Sequence, residues 1–507
     1  MRVTFVFPDW VDPEATIEHD KKGHGIGHFN FAIATLSSIL KQHGHETNLM
    51  HICYEPQEQQ FKELLKSYKH SDIFAFSFTE VEKSWVIKMN RWIKEELRAF
   101  TIGGGIYPTL SPEKSLTEIG LDAVCVGEGD FSFPELCNKM EKDIDYFRIA
   151  NLWFYKNDKI LKNDYGIINN NIDELPVYDF ELFDVSRLKN LSSNLPRMYY
   201  LCTRNCVFGC SFCANHAKRN VYKAGKNYVR KFSPDRIISD IKIYLSKYPE
   251  VHLIHFADEV IHYDRDWFKE LMSKYKTEIG LPWRSYAMLK LLDENIIDIM
   301  AWSGCCRVNC GIEAGSQRIR KIYNRPPIQN IEIINKINLL KEYNIDVQTS
   351  TLLNAPTETM EDMLSTIKLA AKANTDIAVT GIVVPYEATS LFTFAKQKGI
   401  VVNNSYENTG VSIEPYDCSK EKVLFFYNAY RLMVEIYKKI YSQNIYFQKV
   451  LIPIVDFIYK FKLLPHKFLI KIRKKFFEGK LLNRAYKKVE TKLGRTERKS
   501  LNLLIII

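Results

Sequence analysis

The first 145 residues alternate short apolar runs with amphipathic stretches. Residues 3–8 form an apolar run of strand character. Residues 29–44 (FNFAIATLSSILKQHG) carry apolar side chains at helical spacing and end on a glycine stop. Residues 72–78 (DIFAFSF) read as a second buried strand and 85–100 as an amphipathic helix. Residues 101–105 read as a strand end running into three glycines, and 122–126 as a further strand ending at Gly127, Glu128 and Gly129. Strands alternating with helices, with glycines after the strands, predict a doubly wound parallel sheet, in which ligands sit at the carboxyl ends of the strands. Thr79, Gly103, Gly104, Gly105, Tyr107, Gly127, Glu128 and Gly129 fall at those ends.

Residues 146–195 differ in texture. The run NNNIDELPVYDFELFD is polar, rich in Asn and broken by Pro176, which reads as a linker to a second domain. From 196 to 400 the alternation resumes, with candidate strands at 198–202, 252–256, 284–287, 307–312, 346–353 and 377–384. Helical patterns lie between them, among them 234–248, 266–275, 328–343 and 359–373. Six βα units predict a partial parallel (β/α)6 barrel of the TIM type, with its chemistry at the carboxyl ends of the strands. Strand signals stop after about residue 420, so residues 401–507 are expected to be a helical region.

Composition narrows the class. With 507 residues, 46% apolar and 26% charged, the chain has the make-up of a globular protein of about three domains. No run approaches the roughly 18 apolar residues of a membrane-spanning helix, and the start MRVTFVFPDW reads as a buried strand rather than a signal peptide, so a cytoplasmic location is expected. The net charge of +10 is uneven. Residues 450–507 hold 15 Lys/Arg against 4 Asp/Glu, a net +11, which leaves about −1 for the other 449. Within that tail PIVDFIYKFKLLPHKFLIKIRKKFFEGK mixes aromatic and aliphatic residues with cations. It reads as a solvated cationic face over ordinary packing, with peripheral contact to an anionic membrane or an acidic partner as the alternatives. No nucleic-acid module signature is present, and no nucleic-acid partner is expected.

Eleven cysteines are too few, and odd in number, for a disulfide scaffold, which favours a reducing compartment in which clustered Cys means metal or catalysis. Cys53, Cys125, Cys137 and Cys418 are scattered and read as small core residues. Cys206, Cys210 and Cys213 stand at C-x3-C-x2-C spacing directly after the first barrel strand. Three thiolates on one short loop can hold three irons of a [4Fe–4S] cube and leave the fourth open to a small molecule. The alternative is a zinc site with His216 as fourth ligand, but zinc motifs usually pair two distant C-x2-C or His units, and neither exists here. Cys305, Cys306 and Cys310 enter a barrel strand and read as packing.

With its aromatic Phe212 before the last cysteine, this motif resembles that of the radical S-adenosylmethionine (SAM) enzymes. Further segments at successive strand ends are similar to that family's. Asp258 and Glu259 resemble the acidic motif that takes the amino group of SAM. Glu313 and Ser316, in GIEAGS, resemble the segment contacting ribose and methionine. Pro356, in LNAPTET, and residues 385–389 resemble the loops after the fifth and sixth strands. Asn354, Thr357 and Ala388 depart from the family by standing where glycine is frequent. The resemblance implies that SAM chelates the open iron, that one electron cleaves a carbon–sulfur bond to give a 5′-deoxyadenosyl radical, and that Phe212 packs on adenine.

The first 140 residues are similar to the Rossmann-like cobalamin-binding domain that precedes many such barrels. The likeness lies in residues 25–45, 71–79, 102–113 and 122–136. It implies that Thr79, Tyr107 and the glycine-rich turns contact cobalamin. The D-x-H-x-x-G motif that supplies a histidine to cobalt in other cobalamin proteins is absent; His24, in DKKGHG, has the wrong spacing. Together the resemblances imply a cobalamin-dependent radical SAM methyltransferase. Its target would be an unactivated carbon (or phosphorus) of a small molecule, reached through methylcobalamin, with a flavodoxin- or ferredoxin-like electron donor. A cyclase or rearrangement enzyme with the same cofactors, and a non-catalytic cobalamin or iron–sulfur redox sensor, remain alternatives.

Overall fold

The computed structural model describes residues 1–9, 27–184, 197–222, 228–401 and 411–461. The residue-462-to-507 part of the basic tail, residues 185–195 of the expected linker and His24 lie outside the described residues.

Two main sheets organise the chain. The first contains β1 (Arg2–Pro8), β2 (Glu46–Ile52), β3 (Ile73–Ser77), β4 (Phe100–Gly104), β5 (Ala123–Cys125), β6 (Leu152–Lys156) and β7 (Lys159–Leu161). Its order is β2-β1-β3-β4-β5-β6-β7. The first five strands pair in parallel, and β6 and β7 add on antiparallel. β1 is buried along almost its whole length, as expected of a strand covered on both faces. β2 (ETNLMHI) has a polar alternation, which is why its sequence carries no clear strand signal. The chain order doubles back between β2 and β3 on either side of β1, which opens a crevice at the carboxyl ends of β1 and β3.

β8 (Met198–Tyr200), β11 (Ile254–Phe256), β12 (Trp283–Ala287), β13 (Cys305–Glu313), β14 (Asp346–Leu353) and β15 (Ile377–Ile382) form the second sheet, all parallel and in sequence order. This is the expected six-stranded partial barrel. Between β8 and the helix Pro234–Lys247, a short antiparallel ladder of β9 (Thr203–Arg204) and β10 (Arg230–Lys231) closes the base of a lobe that carries the three clustered cysteines. The helix Lys420–Tyr441 packs on Met360–Lys372 and on β15, covering the last strand of the barrel. The helix Ile445–Phe461 follows it, and no helix among the described residues is long and apolar enough to cross a membrane.

The expected linker over 146–195 is corrected by the structure. Its first part supplies β6 and β7 to the amino-terminal sheet. Its second part threads Ile172, Leu175, Tyr178, Phe180 and Phe183, all buried, between the domains. Phe29 packs on Phe180 and Phe183 with ring centres 5.3 and 4.6 Å apart, Phe180 reaches Tyr244 at 4.5 Å, and Tyr178 reaches Tyr200 at 5.6 Å. At roughly 1.5–3 kcal/mol for each buried aromatic side chain, this latch holds the amino-terminal sheet to the barrel. Of the polar residues that suggested a linker, Asn171, Glu174 and Glu181 face solvent, whereas Asp179 is buried and accepts from Ser37.

Candidate functional site

A cavity of about 580 Å³ lies between the two sheets. On one wall are the carboxyl ends of β1, β3, β4 and β5, with Thr79, Gly103, Gly104, Gly105, Gly127, Glu128 and Gly129. On the other are Arg204, Asn205, Asn215, Lys218, Tyr222 and Glu259 of the barrel. The strand-end residues singled out from the sequence are therefore brought together, with one exception. Tyr107 is buried and packs on Phe78 at 5.6 Å, its ring under Lys83, in a separate core. It is not a cavity residue, so the expected cobalamin contact through Tyr107 is corrected.

The glycines serve close approach. Gly105 has φ +93°, and a Cβ there would sit 3.0 Å from the Phe78 carbonyl oxygen; a Cβ on Gly127 would meet the Tyr222 ring at 2.3 Å. Thr79 spends its hydroxyl and its amide on Glu82, at 2.6 and 2.9 Å. Glu128 is no free ligand either. Its carboxylate accepts from Arg230 and from Arg204 (3.3 Å), while Asp130 accepts from Arg204 at 2.5 Å. Burial would raise the Glu128 carboxyl, but the Arg230 hydrogen bond and the Arg204 charge hold it below its ordinary value. These pairs join the β5 turn to the β9–β10 ladder and clasp the two domains at the cavity edge. Nothing in the sequence signals this pairing, since its members lie 74 to 102 residues apart.

The cysteine lobe begins at the mouth of β8. Asn205 takes a left-handed conformation, φ +69°, to start the loop, and Cys213 precedes the helix Ala214–Val221. Ser211 ties the loop down: its amide donates to Tyr323 O (2.9 Å), its hydroxyl to Ile322 O (2.7 Å), and its carbonyl accepts from Leu391 N (3.0 Å). Cys210 is buried, whereas Cys206 and Cys213 are half-buried. Burial pushes the Cys206 thiol up to about 11 and raises Cys213 as well.

A single zinc ion, with Zn–S near 2.3 Å, would require sulfurs roughly 3.8 Å apart. Among the described residues the only Cys/His/Asp/Glu trio with ligand atoms within 4.8 Å of one another is Asp9, His51 and Cys53. The three clustered sulfurs are thus not drawn together within 4.8 Å of one another, the spacing that one shared zinc ion would need.

Arg325, which no motif announces, completes this region. Its guanidinium donates to Cys210 Sγ (3.3 Å) and to Gly311 O (2.7 Å) and faces Glu313 at 3.5 Å. Glu313 ends β13 with φ +56° at a register shift of the ladder, and its burial raises its carboxyl. A Cβ on Gly311 would lie 2.3 Å from Glu313 Oε1, so the glycine makes room for the pair.

The acidic motif divides in two. Asp258 is fully buried and accepts from Cys202 N (2.9 Å) and Thr203 Oγ1 (2.6 Å), so both its oxygens fasten the start of the cysteine lobe. Its expected contact with the SAM amino group is corrected to a structural role. Burial, opposed by the Thr203 hydrogen bond, raises this carboxyl to about 6. Glu259 is exposed to the cavity and accepts from Asn215 at 2.9 Å.

Phe212 packs edge-on to Tyr323 at 5.2 Å, beside Ala314, Ala355 and Val383. Ser316 opens the helix Gln317–Ile322 after β13 and hydrogen-bonds Asp362, and Pro356 is buried in the loop after β14. These residues gather at the carboxyl ends of β13 to β15, beside the cysteine lobe, but do not line the cavity. In the same loop Glu358 is buried, accepts from Ala355 N at 2.8 Å, and keeps Oε1 without a partner.

Comparison with known proteins agrees with this geometry. Residues 200–370 match the radical SAM superfamily. The chain is 25% identical over 383 residues to an uncharacterized methyltransferase of Pyrococcus horikoshii, covering 74% of this chain and 80% of that protein. It is 24% identical over 315 residues to the cytidylyl-2-hydroxyethylphosphonate methyltransferase of Streptomyces wedmorensis, covering 54% and 57%. Among solved structures, the radical SAM methyltransferase TsrM of Kitasatospora setae, with cobalamin and a [4Fe–4S] cluster bound, superposes with a TM-score of 0.63 at 14% identity, covering 80% of this chain and 76% of TsrM. The two-domain fold is therefore shared.

Proposed function

From a chain whose barrel is a radical SAM domain, we propose a cobalamin-dependent radical SAM methyltransferase acting on a small molecule. The observation that carries this reading is the shared cavity. It places the glycine-rich strand ends of the amino-terminal sheet directly opposite the lobe that bears Cys206, Cys210 and Cys213. A sensor has no use for a second ligand crevice facing its cluster loop. The relatives that are methyltransferases, one acting on a phosphonate, favour methyl transfer over cyclisation.

When bound, the cluster, SAM and cobalamin supply the electron, the hydrogen-abstracting radical and the methyl group. The chain's own residues do the holding. Cys206, Cys210 and Cys213 bind iron. Arg325 offsets negative charge at Cys210. Glu313 and Ser316 offer acceptors at the end of β13, and Glu259 offers a carboxylate at the cavity wall. Gly103, Gly104, Gly105, Gly127 and Gly129 let the backbone approach a flat ligand. The apolar walls and the latch exclude water. The electron donor is a small low-potential protein of flavodoxin or ferredoxin type.

The test is anaerobic incubation of reconstituted protein with SAM, cobalamin and a reductant. The expected products are 5′-deoxyadenosine and S-adenosylhomocysteine, both abolished by Cys206→Ala. A wild-type protein with verified iron content that yields neither would falsify the assignment.

A further inference from the structure

The inner face of the partial barrel carries a row of cations that the cysteine lobe and the cavity leave unused. Alternate side chains of a strand point to opposite faces of its sheet. Met198, Ile254, Phe256, Trp283, Val308 and Val347 belong to the buried apolar core under the helices. The residues that alternate with them form a polar row across five strands. Tyr199 pairs with His255, His255 with Arg284, Arg284 with Arg307, and Arg307 with Asp346. Arg307 enters this row through a bulge: the extra residue Cys306 falls between the pairs Trp283–Cys305 and Arg284–Arg307. Bulges of this kind re-aim side chains beside functional sites.

Two arginines thus stand side by side on neighbouring strands with no carboxylate between them, an arrangement that repels. Arg197 adds a third. Its guanidinium carbon lies 4.5 Å from the centre of the Tyr199 ring, and it donates to the Tyr199 hydroxyl. Burial, with the charges of Arg197 and Arg307, lowers the Arg284 guanidinium to about 10, so it stays protonated at neutral pH. Burial and the charges of Arg284 and Arg197 keep the His255 ring neutral. Arg307 meets Asp346 at 3.3 Å, but the Arg284 guanidinium has no hydrogen bond or ion pair among the described residues. Arg197 Nε, Arg307 Nε and His255 Nδ1 are buried without a partner. Three guanidinium charges against the Asp346 carboxylate leave this group a net +2.

We propose that Arg197, Arg284 and Arg307 receive a dianionic phosphoryl group of the substrate. The inference rests on the methyltransferase reading above and narrows its substrate class. A phosphate monoester carries about two negative charges at neutral pH, which matches the excess, whereas a carboxylate carries one. The planar fork of each guanidinium suits phosphoryl oxygens. Tyr286 is 38% exposed and stands two residues nearer the carboxyl end of β12, with its ring 5.7 Å from that of His255. It lies within reach of the charges of both Arg284 and Glu259, the carboxylate on the cavity wall. An anion held at the arginines therefore directs the rest of the substrate past Tyr286 toward the cavity.

The experiment is calorimetric titration of the full chain, loaded with cluster and cobalamin, with inorganic phosphate at mildly alkaline pH and with acetate as the carboxylate probe. Phosphate is expected to bind at one site, and acetate about 10-fold more weakly or worse. Arg284→Gln and Arg197→Gln should each weaken phosphate by about 10-fold or more, the effect of removing one charged hydrogen-bonding partner. Saturating S-adenosylhomocysteine should leave the phosphate affinity unchanged. Should one variant fail to fold, the other carries the comparison, and the acetate and S-adenosylhomocysteine arms are read on wild type alone.

Phosphate that does not bind, that binds both variants as it binds wild type, or that acetate matches overturns the inference while the proposed function stands. Displacement by S-adenosylhomocysteine assigns the arginines to the SAM carboxylate and overturns it too. Phosphate binding through these arginines in a protein that makes neither 5′-deoxyadenosine nor S-adenosylhomocysteine from SAM overturns the proposed function, and with it the reading of this anion as substrate.

Discussion

Arg325 is the residue whose chemistry bears most directly on the cysteine lobe. Burial would lower its basicity, but the charge of Glu313 and the Cys210 sulfur hold the guanidinium protonated. A cation that donates to a cluster sulfur favours the reduced, more negative state. Arg325→Gln is therefore expected to lower the midpoint potential of the reconstituted cluster, followed by paramagnetic resonance during a redox titration. About 59 mV corresponds to a tenfold change in a one-electron equilibrium. An unchanged potential would remove Arg325 from electron transfer and leave it a structural clip. A second residue-level prediction concerns the positions that depart from the family's glycines. Asn354, Thr357 and Ala388 have φ of +64°, +65° and +67°. The backbone thus keeps the left-handed shape without the residue that favours it. Ala388 is exposed and its methyl packs little. Ala388→Gly should therefore stabilise by roughly 0.5–1 kcal/mol, strain relief outweighing the added freedom of the unfolded chain. A raised urea midpoint is the expected reading.

At the scale of elements, the loop after β14 holds an ionisable group in an unfavourable place. Burial, only partly offset by the Ala355 amide, pushes the Glu358 carboxyl up to about 8 from an ordinary 4.5. A raised folded-state value means that the folded form binds the proton more tightly than the unfolded one. Its contribution to stability is complete below about pH 4.5 and is lost as pH rises through 8. Glu358→Gln removes this dependence. The variant should match wild type near pH 4.5 and exceed it by a few kcal/mol at most near pH 8, read from urea midpoints at the two pH values; a constant difference would mean the carboxyl is not the titrating group. The element scale is also where the sequence is most and least legible. The barrel strands and the cysteine loop were readable because they combine apolar runs with a fixed local spacing. β2 was not, because its exposed edge position allows a polar alternation. β6, β7 and the aromatic strap were hidden by Asn and Pro, although Tyr178, Phe180 and Phe183 recur there at intervals that keep their rings inward. Asp258 was legible as an important acid but not in its role, since the donors it satisfies, Cys202 and Thr203, precede it by 56 and 55 residues.

On the scale of the whole molecule, two different junctions hold the sheets around one cavity. The aromatic strap is apolar and reaches the cavity wall only through Tyr178. The Glu128–Arg230 and Asp130–Arg204 pairs are polar and lie at its rim, with the Arg230 side chain only 4% exposed. Burying a cation without its partner costs about 3–5 kcal/mol, and truncating a buried aromatic costs about the same, so energy alone does not separate their roles; position does. Glu128→Gln leaves the strap intact, so the chain should stay folded while the rim opens. Hydrogen exchange should speed up in residues 127–130 and 203–205, and cobalamin should wash out on desalting. Phe180→Ala leaves the rim paired but loosens the strap, so it should lower the thermal midpoint and speed exchange in the helix Phe31–Gln42 and at Tyr244. If Glu128→Gln instead retains cobalamin and shows wild-type exchange at both segments, the strap alone maintains the cavity and the ion pairs are incidental to it.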